Sequence, residues 1–221
     1  MGASEQEPWW YGLFRSRLFE GGFELVLRGL FKLRLHGAES VPRSQPVIFC
    51  FNHGSHYDAF IMLAVARRVQ GRMSSVVAWH KMLQYPVIGA WLRAWRAVPV
   101  KSSSRIASRS VALRQMMRHL RDGRSLLVAC EGKRHDALGP FRPGAAAVAL
   151  RTGALVVPCS LCGVQPLFKK MPWPQKYWGN VEVHFHPALD PRSFASADEL
   201  TQATRRAVAS RIDYPTQEDI H

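Results

Sequence analysis

From residue 46 onward, short apolar runs alternate with stretches of helical period, and that alternation leaves few folds open to the chain. Strand-like runs at Pro46 to Phe51, Ser75 to Trp79, Ala97 to Lys101, Ser125 to Cys130, Ala154 to Val164 and Val181 to Phe185 are separated by helix-like stretches near 58 to 70, 82 to 95, 103 to 122 and 144 to 153. Strands that are apolar on both faces must be covered on both faces. The pattern therefore predicts an α/β fold with a mixed, largely parallel central sheet between helical layers, whose functional residues collect in loops beyond the strand ends. A last helix is expected over Ser196 to Arg211, with Asp198 and Glu199 in its first turn and Arg211 in its last, as the helix dipole favours.

Ahead of this region, residues 1 to 35 read as an amphipathic hairpin of two short helices broken at Gly21-Gly22, and residues 36 to 221 as one domain. The hairpin is crowded with aromatic and apolar residues such as Trp9, Trp10, Phe14, Phe23 and Leu27, and its polar faces lean basic through Arg15, Arg17, Arg28, Lys32 and Arg34. That mixture suits the boundary between lipid headgroups and acyl chains, and it equally suits packing on the chain's own domain.

The 30 Lys plus Arg against 16 Asp plus Glu leave a formal charge of +14, which implies an anionic partner. Nucleic acid is not expected, because the basic residues are scattered and no zinc-finger spacing, stacking motif or basic heptad region is present. Lipid phosphates of an anionic membrane surface, a phosphorylated cofactor or an acidic carrier protein remain. The four cysteines, Cys50, Cys130, Cys159 and Cys162, lie in apolar settings and point to core thiols in a reducing compartment rather than a disulfide framework. No hydrophobic signal core and no run near the ~20 apolar residues of a spanning helix is seen, so a cytoplasmic protein, peripheral on the cytoplasmic face of a membrane, is expected.

Two loops carry chemistry. The strand ending at Phe51 delivers Asn52-His53-Gly54-Ser55-His56-Tyr57-Asp58. An imidazole titrates near neutral pH, and a carboxylate that fixes its tautomer suits it to general-base work. Five residues span about 140° around a helix axis, so His53 and Asp58 meet only across a strand-turn-helix bend, which Gly54 and an N-capping Ser55 can supply. The H-x-x-H-x-D spacing lacks the tight grouping of binuclear metal sites, and no metal is expected there. The second loop runs Cys130-Glu131-Gly132-Lys133-Arg134-His135, followed by Gly139-Pro140-Phe141-Arg142-Pro143-Gly144 at the head of an alanine-rich helix. Arg134 and Arg142 offer planar forks for a phosphate, with Glu131 placed to position a hydroxyl or brace those cations. Cys130, in an apolar strand setting, is expected to be inert.

Taken in order, these blocks resemble the glycerolipid acyltransferase family, whose best-known members acylate 1-acylglycerol-3-phosphate. Asn52-His53 through Asp58 matches its N-H-x-x-x-x-D block, Glu131-Gly132 with Arg134 its E-G-T-R-S block, Phe141-Arg142-Pro143-Gly144-Ala145 its F-K-x-G-A block, and Val156-Val157-Pro158 its V-x-P strand. A further block, G-x-x-x-I-x-R, is matched only loosely, with Lys101 where arginine is usual; Lys133 and His135 replace Thr and Ser.

The resemblance implies that His53 is the catalytic base and Asp58 its orienting anion, and that Asn52, Lys101, Glu131, Gly132, Arg134 and Arg142 form the substrate-binding set. It implies an acyl-CoA or acyl-carrier-protein thioester as donor, a lyso-lipid as acceptor, and no cofactor. An acceptor outside the glycerolipids, or hydrolysis of a thioester or lipid ester, stays open on these residues, because the departures fall where the acceptor's charge would be read and lysine is a point charge where arginine is a fork.

Overall fold

The computed structural model describes residues 31–55, 57–101, 106–133, 137–164 and 179–220, with positions 22, 25, 26 and 29 ahead of them. Among the described residues, the strands are β1 (Arg34–His36), β2 (Ile48–Phe51), β3 (Ser74–Trp79), β4 (Val98–Val100), β5 (Ser125–Ala129), β6 (Val156–Cys162) and β7 (Glu182–Phe185). The helices are α1 (Asp58–Gln70), α2 (Pro86–Ala94), α3 (Ile106–Arg121), α4 (Gly144–Thr152) and α5 (Ala197–Ala209). One sheet runs in the order β1-β7-β6-β2-β5-β3-β4. Every neighbouring pair is parallel except β6 with β7.

The two-faced burial expected from the apolar strands is present. Along β2, Phe49 and Phe51 face a core with Ile61, Met62 and Val65 of α1 and Trp91 and Leu92 of α2, while Ile48 and Cys50 face the opposite core with Met116 of α3, Val148 of α4 and Leu200 of α5. Period-two alternation sends successive side chains into different layers, and all four β2 residues are buried.

Most element bounds fall close to those read from the sequence, and the differences have local causes. Pro86 at the first helical position delays α2, and a 3-10 turn at His80–Gln84 fills the preceding stretch. Ser55 does not cap α1. Tyr57 holds that position, and the Ser55 hydroxyl accepts from the Tyr57 amide at 3.1 Å, because the Asp58 carboxylate takes the Ser55 amide and draws the loop into a tight turn ahead of the helix.

The hairpin expected over residues 1 to 35 lies mostly outside the described residues. Gly22, Leu25, Val26, Gly29 and Phe31 are helical, and the chain then enters β1 at Arg34. Phe31 is buried, its ring 5.3 Å from that of Tyr57, and its carbonyl accepts from the Val181 amide at 2.9 Å. The β1 strand was not foreseen: three residues in a basic stretch carry too little pattern to be distinguished from the end of a helix.

β1 and β7 form a sheet edge with unlike faces. Leu35 and Val183 join the core layer of α1 and α2, so Arg34, His36, Glu182 and His184 face the other side.

Leu127 of β5 is fully buried beneath α1, whereas Leu150 on α4 is more than a third exposed. Leu127→Ala should cost about 2–5 kcal/mol of stability in urea denaturation, with Leu150→Ala close to wild type. Equal midpoints for the two variants would show that this layer is not the packed centre.

Candidate active site

β2, β5, β3 and β4 are parallel, so the loops leaving their carboxyl ends line one edge of the sheet. Phe51 and Ala129 are register partners, which sets the Asn52–Asp58 loop beside the Cys130–Glu131 turn. The ladder continues a step further, with the Cys130 amide donating to the Phe51 carbonyl at 3.0 Å.

Within the first loop, His53 Nδ1 lies 2.9 Å from Asp58 Oδ2, and the same oxygen accepts from the Ser55 amide at 2.9 Å. The carboxylate oxygen serves as acceptor in both contacts. The imidazole therefore carries its proton on Nδ1 and leaves Nε2 to accept one. The His53 side chain is 25% exposed and that of Asp58 0%, so a substrate can meet the ring but not the carboxylate behind it. Burial raises the proton affinity of Asp58 above the usual carboxylate range, and the hydrogen bond and charge of His53 pull it back.

Glu131 is spent differently from the expectation. Its Oε1 accepts from the His53 amide at 2.7 Å and its Oε2 from the Gly139 amide at 2.8 Å. Rather than reaching a hydroxyl or bracing cations, this carboxylate is buried as a clamp between the two chemical loops. Burial again raises its proton affinity, against the lowering effect of the two amides.

Asn52, expected among the substrate-binding residues, is also placed as an internal tie. Its amide nitrogen donates to the Leu161 carbonyl and its Oδ1 accepts from the Leu161 amide, at 2.9 and 2.8 Å, which extends the β2–β6 ladder with a side chain. The same nitrogen donates to the Tyr214 hydroxyl at 2.9 Å. Burial, with the nearby Glu131 charge, pushes the Tyr214 phenol up and keeps it neutral. Tyr214 belongs to this assembly and escaped sequence reading, because a lone aromatic near the C-terminus has no motif around it.

Gly132 and Arg142 come together. Gly132 has φ +70°, and a Cβ built there would fall 2.6 Å from Arg142 Nε, so the guanidinium lies across the bare backbone of the turn. Arg142 is exposed, and its amide donates to the Cys130 carbonyl at 2.8 Å. Lys101 is exposed just past β4, three strands from β2, about 14 Å along the sheet edge. Arg134 lies outside the described residues. Burial pushes the Cys130 thiol well up, which keeps it protonated and unreactive beside Glu131.

A family model described as Acyltransferase matches residues 32–162. The chain is 29% identical over 188 residues to "1-acyl-sn-glycerol-3-phosphate acyltransferase LPAT1, chloroplastic" of Arabidopsis thaliana, covering 83% of this chain and 50% of that protein. It is 25% identical over 194 residues to the 1-acyl-sn-glycerol-3-phosphate acyltransferase of Borreliella burgdorferi, covering 86% of this chain and 74% of that one. The chain thus spans about half the length of the plant relative and most of the bacterial one. The crystal structure of the 1-acyl-sn-glycerophosphate (LPA) acyltransferase PlsC from Thermotoga maritima has the same fold, with a TM-score of 0.68 at 24% identity over 91% of this chain and 86% of that one.

Glu131→Ala strips the acceptor from two amides, each costing about 1–3 kcal/mol when left unpaired, partly offset by removing a buried charge. A net loss of stability is expected in urea denaturation. An unchanged midpoint would show that the clamp does not hold the loops.

Proposed function

Because the chain belongs to the acyltransferase family, we propose that it moves a fatty acyl group from an acyl-CoA or acyl-carrier-protein thioester onto the free hydroxyl of 1-acyl-sn-glycerol-3-phosphate. The observation that carries the reading is the 2.9 Å contact between His53 Nδ1 and a fully buried Asp58 carboxylate. The names of the Arabidopsis and Borreliella relatives supply the substrate class.

In this mechanism His53 Nε2 takes the proton from the acceptor hydroxyl as its oxygen attacks the thioester carbonyl. Asp58 stabilises the imidazolium that forms. The tetrahedral intermediate then collapses, the C–S bond breaks, and the imidazolium returns the proton to the departing sulfur, which leaves as thiol. General-base assistance of this kind supplies about 10²- to 10⁴-fold in rate, and holding donor and acceptor together supplies much of the rest.

Arg142, lying across Gly132, is set to receive the acceptor's phosphate together with Arg134, and Lys101 contributes longer-range attraction from the edge of the sheet. Asn52, Glu131 and Tyr214 act as positioning residues.

Residues 1 to 35 dock the enzyme on the cytoplasmic face of an anionic membrane, and residues 36 to 221 form the catalytic domain. Leu25 and Val26 are helical and 72% and 56% exposed, and Phe31 packs against Tyr57 of the His53 loop, which would set the ring of His53 near a lipid surface. The net charge of +14 adds attraction to anionic headgroups. No helix of the described residues is long and apolar enough to cross a membrane.

Incubation with labelled acyl-CoA or acyl-carrier protein, with and without 1-acyl-sn-glycerol-3-phosphate, tests the reading directly. Acceptor-dependent phosphatidic acid is expected, whereas acceptor-independent release of free fatty acid would make the protein a hydrolase. His53→Ala should abolish transfer.

Asp58→Asn should lower turnover by about 10²- to 10⁴-fold, because a neutral amide oxygen facing Nδ1 and the Ser55 amide no longer stabilises the imidazolium that forms on His53. The same variant tests the burial cost. A folded-state pKa raised above 3.8 means that the native state binds more protons than the unfolded one just above that pH, so wild-type stability falls there as pH rises. Asp58→Asn lacks this loss, so its stability relative to wild type should improve as pH climbs through that window in denaturation series. A variant that loses stability relative to wild type as pH rises through that window would contradict the assignment.

A further inference from the structure

The outer face of the β1–β7 edge carries a group of side chains that acyl transfer does not use. His36 and His184 are register partners on parallel strands, their rings stacked with centroids 4.4 Å apart and 9° between planes. Glu182 lies on the same face of β7, two residues before His184. Its Oε2 is 3.3 Å from His36 Nε2 and 3.4 Å from His184 Nε2.

We propose that His36, Glu182 and His184 form a binding site for a divalent transition-metal ion of the zinc class. The donor set is two imidazole nitrogens and one carboxylate oxygen, a ligand combination such ions favour. With metal–ligand bonds of about 2.0–2.2 Å, a tetrahedral ion separates its ligand atoms by about 3.3–3.5 Å. The two nitrogen-to-oxygen distances already match that edge, so an ion can enter with Oε2 close to its present place. What must move is the rings, which turn out of their stack until both Nε2 lone pairs converge. Their side chains are 47% and 21% exposed, which leaves room for that turn.

The surroundings bear on the site in both directions. Arg34 approaches the other carboxylate oxygen, Oε1, at 3.7 Å and orients Glu182 without occupying Oε2. Arg34 and the nearby Arg211 add positive charge, which weakens affinity, and the Arg211 charge also disfavours protonation of His184. Partial burial, and then the neighbouring His36, lower the proton affinity of His184, which keeps it in the neutral form that coordinates a metal. A groove of about 510 Å³, lined in part by Cys162, Gly163, Asn180 and Asp213, adjoins Glu182 and His184 and gives a fourth position access to water or an outside ligand. The site is independent of the acyl-transfer reading.

The test is calorimetric titration of the full chain with Zn²⁺ alone at neutral pH, followed by cobalt substitution to read the coordination from visible absorption. One ion per chain is expected, with a cobalt spectrum of nitrogen and oxygen ligation. Affinity should fall at least about 10- to 100-fold in each of His36→Ala, His184→Ala and Glu182→Gln, and stay unchanged in His80→Ala, which lies off the cluster. The three substitutions sit at an open sheet edge, and circular dichroism confirms that each variant is folded. Absence of stoichiometric uptake by the wild type overturns the proposal, as does uptake undiminished in the three variants; the cluster would then be a carboxylate shared by two imidazoles and nothing more.

Discussion

The candidate active-site edge of this protein depends on one buried carboxylate that bridges two loops. Glu131 accepts from the amides of His53 and Gly139, and so joins the loop after β2 to the loop after β5 at a point where neither has ladder partners of its own. The remaining ties follow the same logic. Asn52 carries the β2–β6 ladder past its last backbone pair and hands a donor to Tyr214, while Leu138 meets the C-terminal segment through Pro215 and Thr216. Each tie satisfies buried polar groups that would otherwise be costly, and together they fix the backbone from which His53 projects.

Holding two ionisable carboxyls in this setting costs stability that the fold recovers elsewhere. Asp58 and Glu131 are both buried and both have their proton affinity raised by desolvation. The compensation comes from hydrogen bonds aimed at the charged forms and from two apolar layers that hold the sheet rigid. A base whose partner is shielded from water keeps its tautomer through a reaction cycle, which an exposed aspartate would not ensure.

The sheet also has a second, less crowded region. On the β1–β7 edge, strand register sets His36 beside His184, with Glu182 on the same outward face. The same parallel pairing that completes the sheet therefore brings together side chains from distant parts of the chain.

Alternating apolar runs made the layered sheet and most helix bounds readable, because burial on both faces leaves a pattern in each strand by itself. The His53 and Asp58 pair was readable for a similar reason: both lie in one short loop, and the bend that joins them is written in Gly54 and Ser55. Three features were not readable. Glu131 and Asn52 looked like substrate contacts, and only strand order showed that their polar atoms are consumed by the backbone of neighbouring loops. Tyr214 and the His36, Glu182 and His184 group have no local signature, since their partners are remote in sequence. The sequence by itself determined what could be decided within one element or one turn: strand, helix, and a histidine with its aspartate. Tertiary structure alone decided which polar groups face each other across the sheet, because register and strand order depend on the whole core closing at once.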